Sequence, residues 1–439
     1  MSEGEGIAFA PQSSPAAPER SSARPRGGQD TEKYALLLLG AAVFFGAWSR
    51  LRVGSINFTL ADFAATGCFL LLLSRQRLKG AALGPLTPFW IGGLGVMLTG
   101  LFVSSIINGD PVRWLSVAAQ YSFAYLVIPW LIMSQERIFA VRLCLLYVLG
   151  VTLSEVIGII ASYLLSYSEA MSIFGQGFLT GNRRLGAMSQ DANPNGAAVA
   201  FAVPMLIYLM RRKVVPGYLG LLFAVILGWG LMLSASFTGF FATAIGLCLV
   251  ILVIGPKYIA RLILVVVGTA TLFYASGASL PLAFQKRVGI AVETGNIGAA
   301  GTYDNRADLI KEAWGFTQDY NLIGMGVDQY RELSVHENPV HNLYLLIWTE
   351  GGVIALCGLL ALIMVCFTLA ISNFKRHRIE SAMSLAIFCI FLIYSMSYPH
   401  MYARNWMIPI MVALATIYAG IPLKPRGRMI APPARTEVQ

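Results

Sequence analysis

Histidine is scarce in this chain, so the position of each one is informative. Of the four histidines, His341 stands in the run His341-Asn342-Leu343-Tyr344, where a long polar connection enters an apolar segment. A neutral imidazole at that point is suited to take a proton from an attacking hydroxyl, because its unperturbed pKa lies near operating pH. An interfacial histidine that caps a helix or binds water fits the same placement. His336 and His400 fall on the same side of the topology derived below, and His377 sits in a basic loop on the other.

Arginines form a second group beside the long polar connections: Arg183, Arg184, Arg287, Arg306, Arg331 and Arg404. A guanidinium matches phosphate oxygens bidentately. Two or three converging arginines would hold a diphosphate and stabilise it as a leaving group without a metal ion. Nothing acidic clusters in the manner of a magnesium or manganese site, and the sequence is read as having neither metal nor cofactor. Surface or salt-bridge roles are the competing reading of such arginines, and Arg306 has Asp308 at hand as a local partner.

Three acidic residues, Asp62, Glu155 and Glu350, fall within apolar runs. Ionisable groups there are costly and mark function or internal pairing. Glu350 is about nine residues into its run, roughly 13 Å at 1.5 Å per residue. All three fall in the same half of the membrane, as expected for a polar cavity opening on one side; pairing with arginine or backbone partners for packing is the alternative.

These residues must be positioned by membrane-spanning helices. Apolar residues make up 56% of the 439-residue chain and charged residues 12%, with a mean hydropathy of +0.66. A soluble domain carries about a quarter charged residues, so the excess apolar surface faces lipid. The net charge of +10 does not point to nucleic acid, because the basic residues are dispersed in short loops rather than gathered on one helix or stripe. All six cysteines (Cys68, Cys144, Cys248, Cys357, Cys366 and Cys389) lie in apolar runs without metal-ligand spacing and read as packing residues.

A crossing needs about 20 apolar residues. That ruler gives about twelve spans, at 34–49, 56–74, 84–107, 115–133, 139–164, 195–210, 217–235, 238–255, 260–278, 342–371, 380–397 and 403–421. The fold class is therefore an all-α polytopic membrane protein with a transmembrane domain over 33–422. The polar segment 1–32, rich in proline, serine and charge, is expected to be a disordered cytoplasmic tail, and 423–439 a second cytoplasmic tail. Alternate connections carry Arg75, Arg77 and Lys79; Arg137 and Arg142; Arg211, Arg212 and Lys213; Lys257 and Arg261; and Lys375, Arg376 and Arg378. The positive-inside rule puts these, and both termini, in the cytoplasm. Arg50 and Arg52 run mildly against the bias. Both long connections, about 165–194 and 279–341, then lie on the outer side. The second is expected to contain a short amphipathic helix, with Asp304 as its cap and Leu309, Ile310, Ala313, Trp314 and Phe316 on its apolar side.

Three pieces of sequence, in order, resemble the O-antigen ligase and polymerase family of membrane glycosyltransferases. They are Arg184-Leu185-Gly186 with Asp191-Ala192-Asn193-Pro194-Asn195; Arg306 to Trp314 leading into Asn321-Leu322-Ile323-Gly324-Met325-Gly326-Val327; and His341-Asn342-Leu343-Tyr344 through Glu350-Gly351-Gly352. The resemblance implies metal-independent, inverting transfer of a saccharide from undecaprenyl diphosphate at the periplasmic face of a bacterial inner membrane. The acceptor hydroxyl would belong to lipid A–core in a ligase or to a growing polysaccharide in a polymerase. It implies a lipid-linked glycan donor, a lipid or glycan acceptor, membrane lipids and a polysaccharide assembly complex as partners. By position, His341 assists the acceptor and Arg306 binds diphosphate, with Arg184, Asn195, Arg404 and Glu350 as further substrate contacts. The sequence departs from the family at Ser234-Ala235-Ser236, which is followed by Phe237 where the family commonly has arginine. Arg404 or Arg183 is the expected substitute. A multi-span solute carrier, with Gly351-Gly352 as a helix break, is the competing class.

Overall fold

The computed structural model describes residues 26–49, 58–255, 280–295, 303–399 and 402–418. The expected ninth span at 260–278, the segments 1–25 and 423–439, Arg50, Arg52, Lys257, Arg261 and His400 lie outside the described residues.

Among the described residues the protein is helical with no strand. Eight stretches are long and apolar enough to cross a membrane: Gly84–Asn108, Pro111–Met133, Arg137–Leu164, Ala192–Arg211, Gly217–Ser234, Phe237–Ile254, Leu343–Ser372 and Arg378–Ser395. Three further expected spans have shorter apolar helices: Lys33–Phe44 within α1 (Arg26–Phe44), α2 (Leu60–Ser74) and the last helix, Arg404–Tyr418. The helix α2 starts four residues later than the apolar run suggests, because Thr59 and Asp62 form a reciprocal capping box. The helix α1 reaches back to Arg26, into the segment expected to be disordered.

The helix α3 (Thr87–Asn108) is followed by Pro111–Met133, in which α4 (Pro111–Ser122) and α5 (Ile128–Met133) are joined by a π turn at Phe123–Val127. Pro129 has no N–H to give the Tyr125 carbonyl, and the Trp90 indole donates to that carbonyl instead at 2.5 Å. The chain continues through α6 (Arg137–Leu164), a short α7 (Tyr167–Phe174), α8 (Ala192–Arg211), α9 (Gly217–Ser234) and α10 (Phe237–Ile254). The second long connection holds α11 (Tyr303–Asp319) and α12 (Gln329–Leu333), and the bundle closes with α13 (Leu343–Ser372), α14 (Arg378–Ser395) and α15 (Arg404–Tyr418). Gly93, Gly100 and Gly358 let α3 and α13 approach closely, as small residues do between helices in lipid.

The two ends of the bundle differ in character. At one end Glu380 accepts from Arg137 at 2.9 Å and pairs with Arg212, while the His377 ring lies 3.2 Å from Arg137. Three of the basic connections thus meet there. The other ends of α6, α8, α13 and α14 carry the polar connections and the site described next.

The helix α11 begins at Tyr303, so Asp304 lies in its first turn and not at its cap. Its apolar side is real: Leu309 and Ala313 are buried together with Met325, Tyr330, Leu345 and Leu346, whereas Trp314 is exposed. Glu312 locks α12 onto this helix by accepting from the Tyr330 hydroxyl (2.9 Å), the Ser334 hydroxyl (2.7 Å) and the Val335 amide (2.9 Å). Partial burial works to raise its pKa, but these three donors outweigh that and hold it below the ordinary glutamate value.

Candidate active site

The site is assembled from helix ends. Asp191 caps α8 by accepting from the Asn193 amide at 2.8 Å, so the first turn of that helix is held in place. The Asn193 side-chain carbonyl accepts from Arg184 Nη2 at 3.0 Å and from the Ser236 hydroxyl at 3.2 Å. Arg184 Nε donates to the Ser234 carbonyl at 3.0 Å. Ser236 in turn caps α10 through the Gly239 amide. One guanidinium therefore joins the start of α8 to the α9–α10 junction.

His341 precedes Asn342, the cap of α13, whose side chain accepts from the Leu345 amide at 3.1 Å. The capping role open to His341 in the sequence is thus taken by its neighbour. Its Nδ1 lies 3.0 Å from the Pro339 carbonyl oxygen. A carbonyl only accepts, so this bond needs Nδ1 protonated, and in the neutral ring Nε2 then carries the lone pair. Burial first, and then the nearby Arg306 guanidinium, lower the His341 pKa below its ordinary value; the Pro339 carbonyl and Asp191 oppose them. Arg306 and Asp191 thus each lie within electrostatic reach of His341, and Arg184 reaches Asp191's helix cap through Asn193.

The remaining expected contacts sit differently. Arg404 is joined bidentately to Asp62, Nε to Oδ1 at 2.5 Å and Nη2 to Oδ2, and Asp62 also accepts from the Thr59 amide and hydroxyl. Asp62 is buried and Arg404 is largely buried against it. Arg183 donates to the Ser162 and Leu165 carbonyls at the end of α6. Neither arginine lies at the α9–α10 junction; Arg184 does. Asn195 is buried, with its amide donating to the Leu185 carbonyl at 3.4 Å beside Glu155. Glu350 is buried in the charged surroundings of Asp328, Arg113 and Arg331. Asp308 pairs with Lys311 at 3.6 Å. Side-chain placement of Arg287 lies outside what is described.

Glu350 belongs to a broken stretch of helix. Gly352 in α13 has φ +70°, and a Cβ there would meet the Leu322 carbonyl oxygen at 2.1 Å. The interruption frees backbone groups, and the Asn321–Val327 loop takes them up. Met325 donates to the Thr349 carbonyl (2.8 Å), Gly326 to the Glu350 carbonyl (3.0 Å), and Val353 to the Asn321 carbonyl (2.9 Å). The loop is tied to α3 as well, through Asn108 to the Gly324 carbonyl and Val327 to the Ser105 hydroxyl. In carriers, broken helices coordinate substrate and ions; here the loop's own backbone occupies the break.

A polar cavity of about 640 Å³ opens at the same end, with Asp191, Gln176, Gln190, Tyr402 and Arg404 in its lining. A polar cavity opening on this side is what the three acidic residues predict, but not this lining: its walls come from Gly46 and Ser49 after α1, the start of α2, α4, and α8 and α15 with the segments preceding them. In the sequence Asp191 stood out only within the Asp191–Asn195 run of the family resemblance. No group of three or more His, Cys, Asp or Glu residues that could hold a metal ion is found among the described residues.

Residues 222–360 match the family model described as O-antigen ligase. The match takes in the Ser234–Ser236 junction, Arg306, His341 and Glu350, and ends before α15; Arg184 and Asp191 precede it. No curated protein matches the chain.

Proposed function

Taking as premise that this multi-pass membrane protein carries an O-antigen ligase domain at residues 222–360, we propose that it transfers a saccharide from a lipid diphosphate to an acceptor hydroxyl. The domain makes it a ligase- or polymerase-like membrane enzyme of lipopolysaccharide-related biosynthesis. The observation that carries the finer reading is the His341 ring: Nδ1 bonded to the Pro339 carbonyl, Nε2 left as base, and burial, then Arg306, lowering its pKa.

In this reading the acceptor hydroxyl gives its proton to His341 Nε2 as its oxygen attacks the anomeric carbon. The bond from that carbon to the diphosphate oxygen breaks, and the negative charge that develops there is met by Arg306 and Arg184. Attack opposite the leaving group inverts the anomeric centre. No step calls on a metal ion. The donor is an undecaprenyl-diphosphate-linked glycan, and the face bearing His341 is periplasmic in a bacterial inner membrane. Backbone capture of the α13 break favours transfer over transport, since the loop amides take the Thr349 and Glu350 carbonyls that a carried ion would use.

Purified protein in nanodiscs, given a radiolabelled saccharide on undecaprenyl diphosphate and an acceptor glycan, should form labelled product. His341→Ala and Arg306→Ala should each reduce it by at least about 100-fold. Full transfer by either variant at equal protein would end this reading.

A further inference from the structure

The end of the bundle away from His341 gathers positive charge around one carboxylate. Glu380, buried in the first turn of α14, accepts on the single oxygen Oε1 from Arg137 Nη2 at 2.9 Å and from Arg212 Nη2. The carboxylate faces inward, with its side chain 2% exposed, whereas the Arg137 and Arg212 side chains are 36% and 43% exposed. A guanidinium carries five N–H donors, so both arginines keep donors on their exposed sides. The Tyr208 ring, with its centre 5.9 Å from the Arg212 guanidinium carbon, helps to hold that side chain in place. Glu136, exposed just before α6, lies within electrostatic reach of Lys79 on a neighbouring connection.

His377 completes the group. Its Nδ1 lies 3.2 Å from Arg137 Nη2. A guanidinium only donates, so Nδ1 accepts and Nε2 carries the proton of the neutral ring. Burial first, and then Arg137, Arg376 and Arg212, lower the His377 pKa below its ordinary value. Three guanidiniums thus act on one imidazole, and the carboxylate to which Arg137 and Arg212 are paired is Glu380 alone among the described residues. Guanidinium and imidazole N–H groups match the oxygens of a phosphate. Exposed apolar residues follow both paired arginines in sequence: Ile138 after Arg137, and Val214 and Tyr218 after Arg212. Such a surface suits acyl chains and gives no hold to a soluble phosphate compound.

We infer that Arg137, Arg212 and His377 bind the phosphate of an anionic glycerophospholipid, whose chains lie against the exposed apolar residues beside them. The lipid fastens the ends of α6, α8 and α14 together, in addition to Glu380. The site is remote from His341 and does not rest on the transfer reading.

The test uses delipidated full-length protein in detergent and native mass spectrometry with dioleoyl phosphatidylglycerol, dioleoyl phosphatidylcholine and glycerol phosphate. Phosphatidylglycerol should bind at least about fivefold more tightly than phosphatidylcholine, the effect of one basic residue near a membrane surface. Glycerol phosphate at equal concentration should not displace it. Arg212→Gln, which leaves Arg137 on Glu380, should weaken phosphatidylglycerol by about fivefold. Removing two charges from another basic connection, with Arg75→Gln and Arg77→Gln together, should change it by less than about twofold, because that connection lies beyond the site's short reach. In carbon-13 NMR of the unaltered protein, the His377 imidazole should titrate at higher pH once phosphatidylglycerol is bound, since the phosphate offsets the guanidiniums. That signal separates binding at this site from a folding defect in Arg212→Gln. Equal affinity for the two lipids, equal weakening by the Arg212 and the Arg75–Arg77 variants, or a His377 titration unmoved by saturating phosphatidylglycerol would overturn the inference. Displacement by glycerol phosphate at equal concentration would make the ligand a soluble phosphate compound and overturn the lipid assignment.

Discussion

Arg184 Nε donates to the Ser234 carbonyl at 3.0 Å, so a residue fifty positions earlier supplies the guanidinium at the junction where the chain itself has Phe237. The arginine is held by Asn193 as well, which fixes its plane. In the proposed transfer it meets the developing charge on the diphosphate. Arg184→Ala should lower turnover by roughly 100-fold, in the range for loss of one preorganised donor. Phe237 is half-buried at the first turn of α10. Adding Phe237→Arg to Arg184→Ala should recover part of the rate; a double variant as inactive as the single one would count against a shared role.

The imidazole at His341 has its pKa depressed by burial and by Arg306. A base is active when neutral, so activity should persist as pH falls below the ordinary histidine value of about 6.5. The acid limb of kcat/KM should therefore lie below that value. Arg306→Gln should move the limb upward, because it removes a positive neighbour. Asp191→Asn should move it further down, because it removes a negative one. Shifts of the same sign in both variants would contradict this arrangement. For stability the sign is the same: the unfolded chain takes up the proton first as pH drops, so the folded state loses stability below the unfolded pKa.

The Asp62–Arg404 pair joins the start of α2 to the start of α15, with Asp62 buried behind an Arg404 that faces the cavity. Breaking a buried pair leaves an uncompensated charge and costs about 3–5 kcal/mol. Arg404→Met alone should destabilise the protein by about that much, seen as earlier thermal unfolding in detergent. Combining it with Asp62→Asn should restore most of the loss. An additive double variant would show that the two residues act separately.

Gly352 and Gly324 form the contact between the α13 break and the loop that fills it. A Cβ on Gly324 would lie 2.2 Å from the Glu350 carbonyl carbon, and Gly352 has φ +70°. Alanine at either position should destabilise by more than about 2 kcal/mol. Gly315, exposed within α11 with open space where a Cβ would go, is the control: alanine there should be neutral or stabilise by about 0.5–1 kcal/mol. Thermal unfolding of the three variants side by side separates the outcomes.

Orientation is open to chemical labelling. Ser168 in α7 and Lys213 after α8 are both exposed and lie at opposite ends of the bundle. On a background lacking the six native cysteines, Ser168→Cys should react with a membrane-impermeant maleimide in intact cells whose outer membrane has been permeabilised. Lys213→Cys should react only after the inner membrane is lysed. The reverse pattern would place His341 in the cytoplasm and remove the lipid-linked donor from reach.

Helicity, membrane residence and the gathering of basic loops at one end were determined by the sequence itself, because each depends on local composition. Runs of apolar residues have no stable alternative to helices in lipid, and Arg137, Arg212 and Arg376 mark their ends wherever the bundle packs. The order of His341, Arg306 and Arg184 along the chain was equally legible. Which guanidinium stands at the α9–α10 junction was not, since Arg404 and Arg183 carry the same chemistry as Arg184. Only tertiary packing chose among them, by seating Arg404 on Asp62 and Arg183 on the end of α6. The break at Gly352 was visible as a glycine pair, but its repair by the Asn321–Val327 backbone involves hydrogen bonds whose partners carry no side-chain signature. The polar cavity is the extreme case: residues as ordinary as Gln120, Gln176, Gln190 and Tyr402 line it, and their meeting depends on where separate helices end in space.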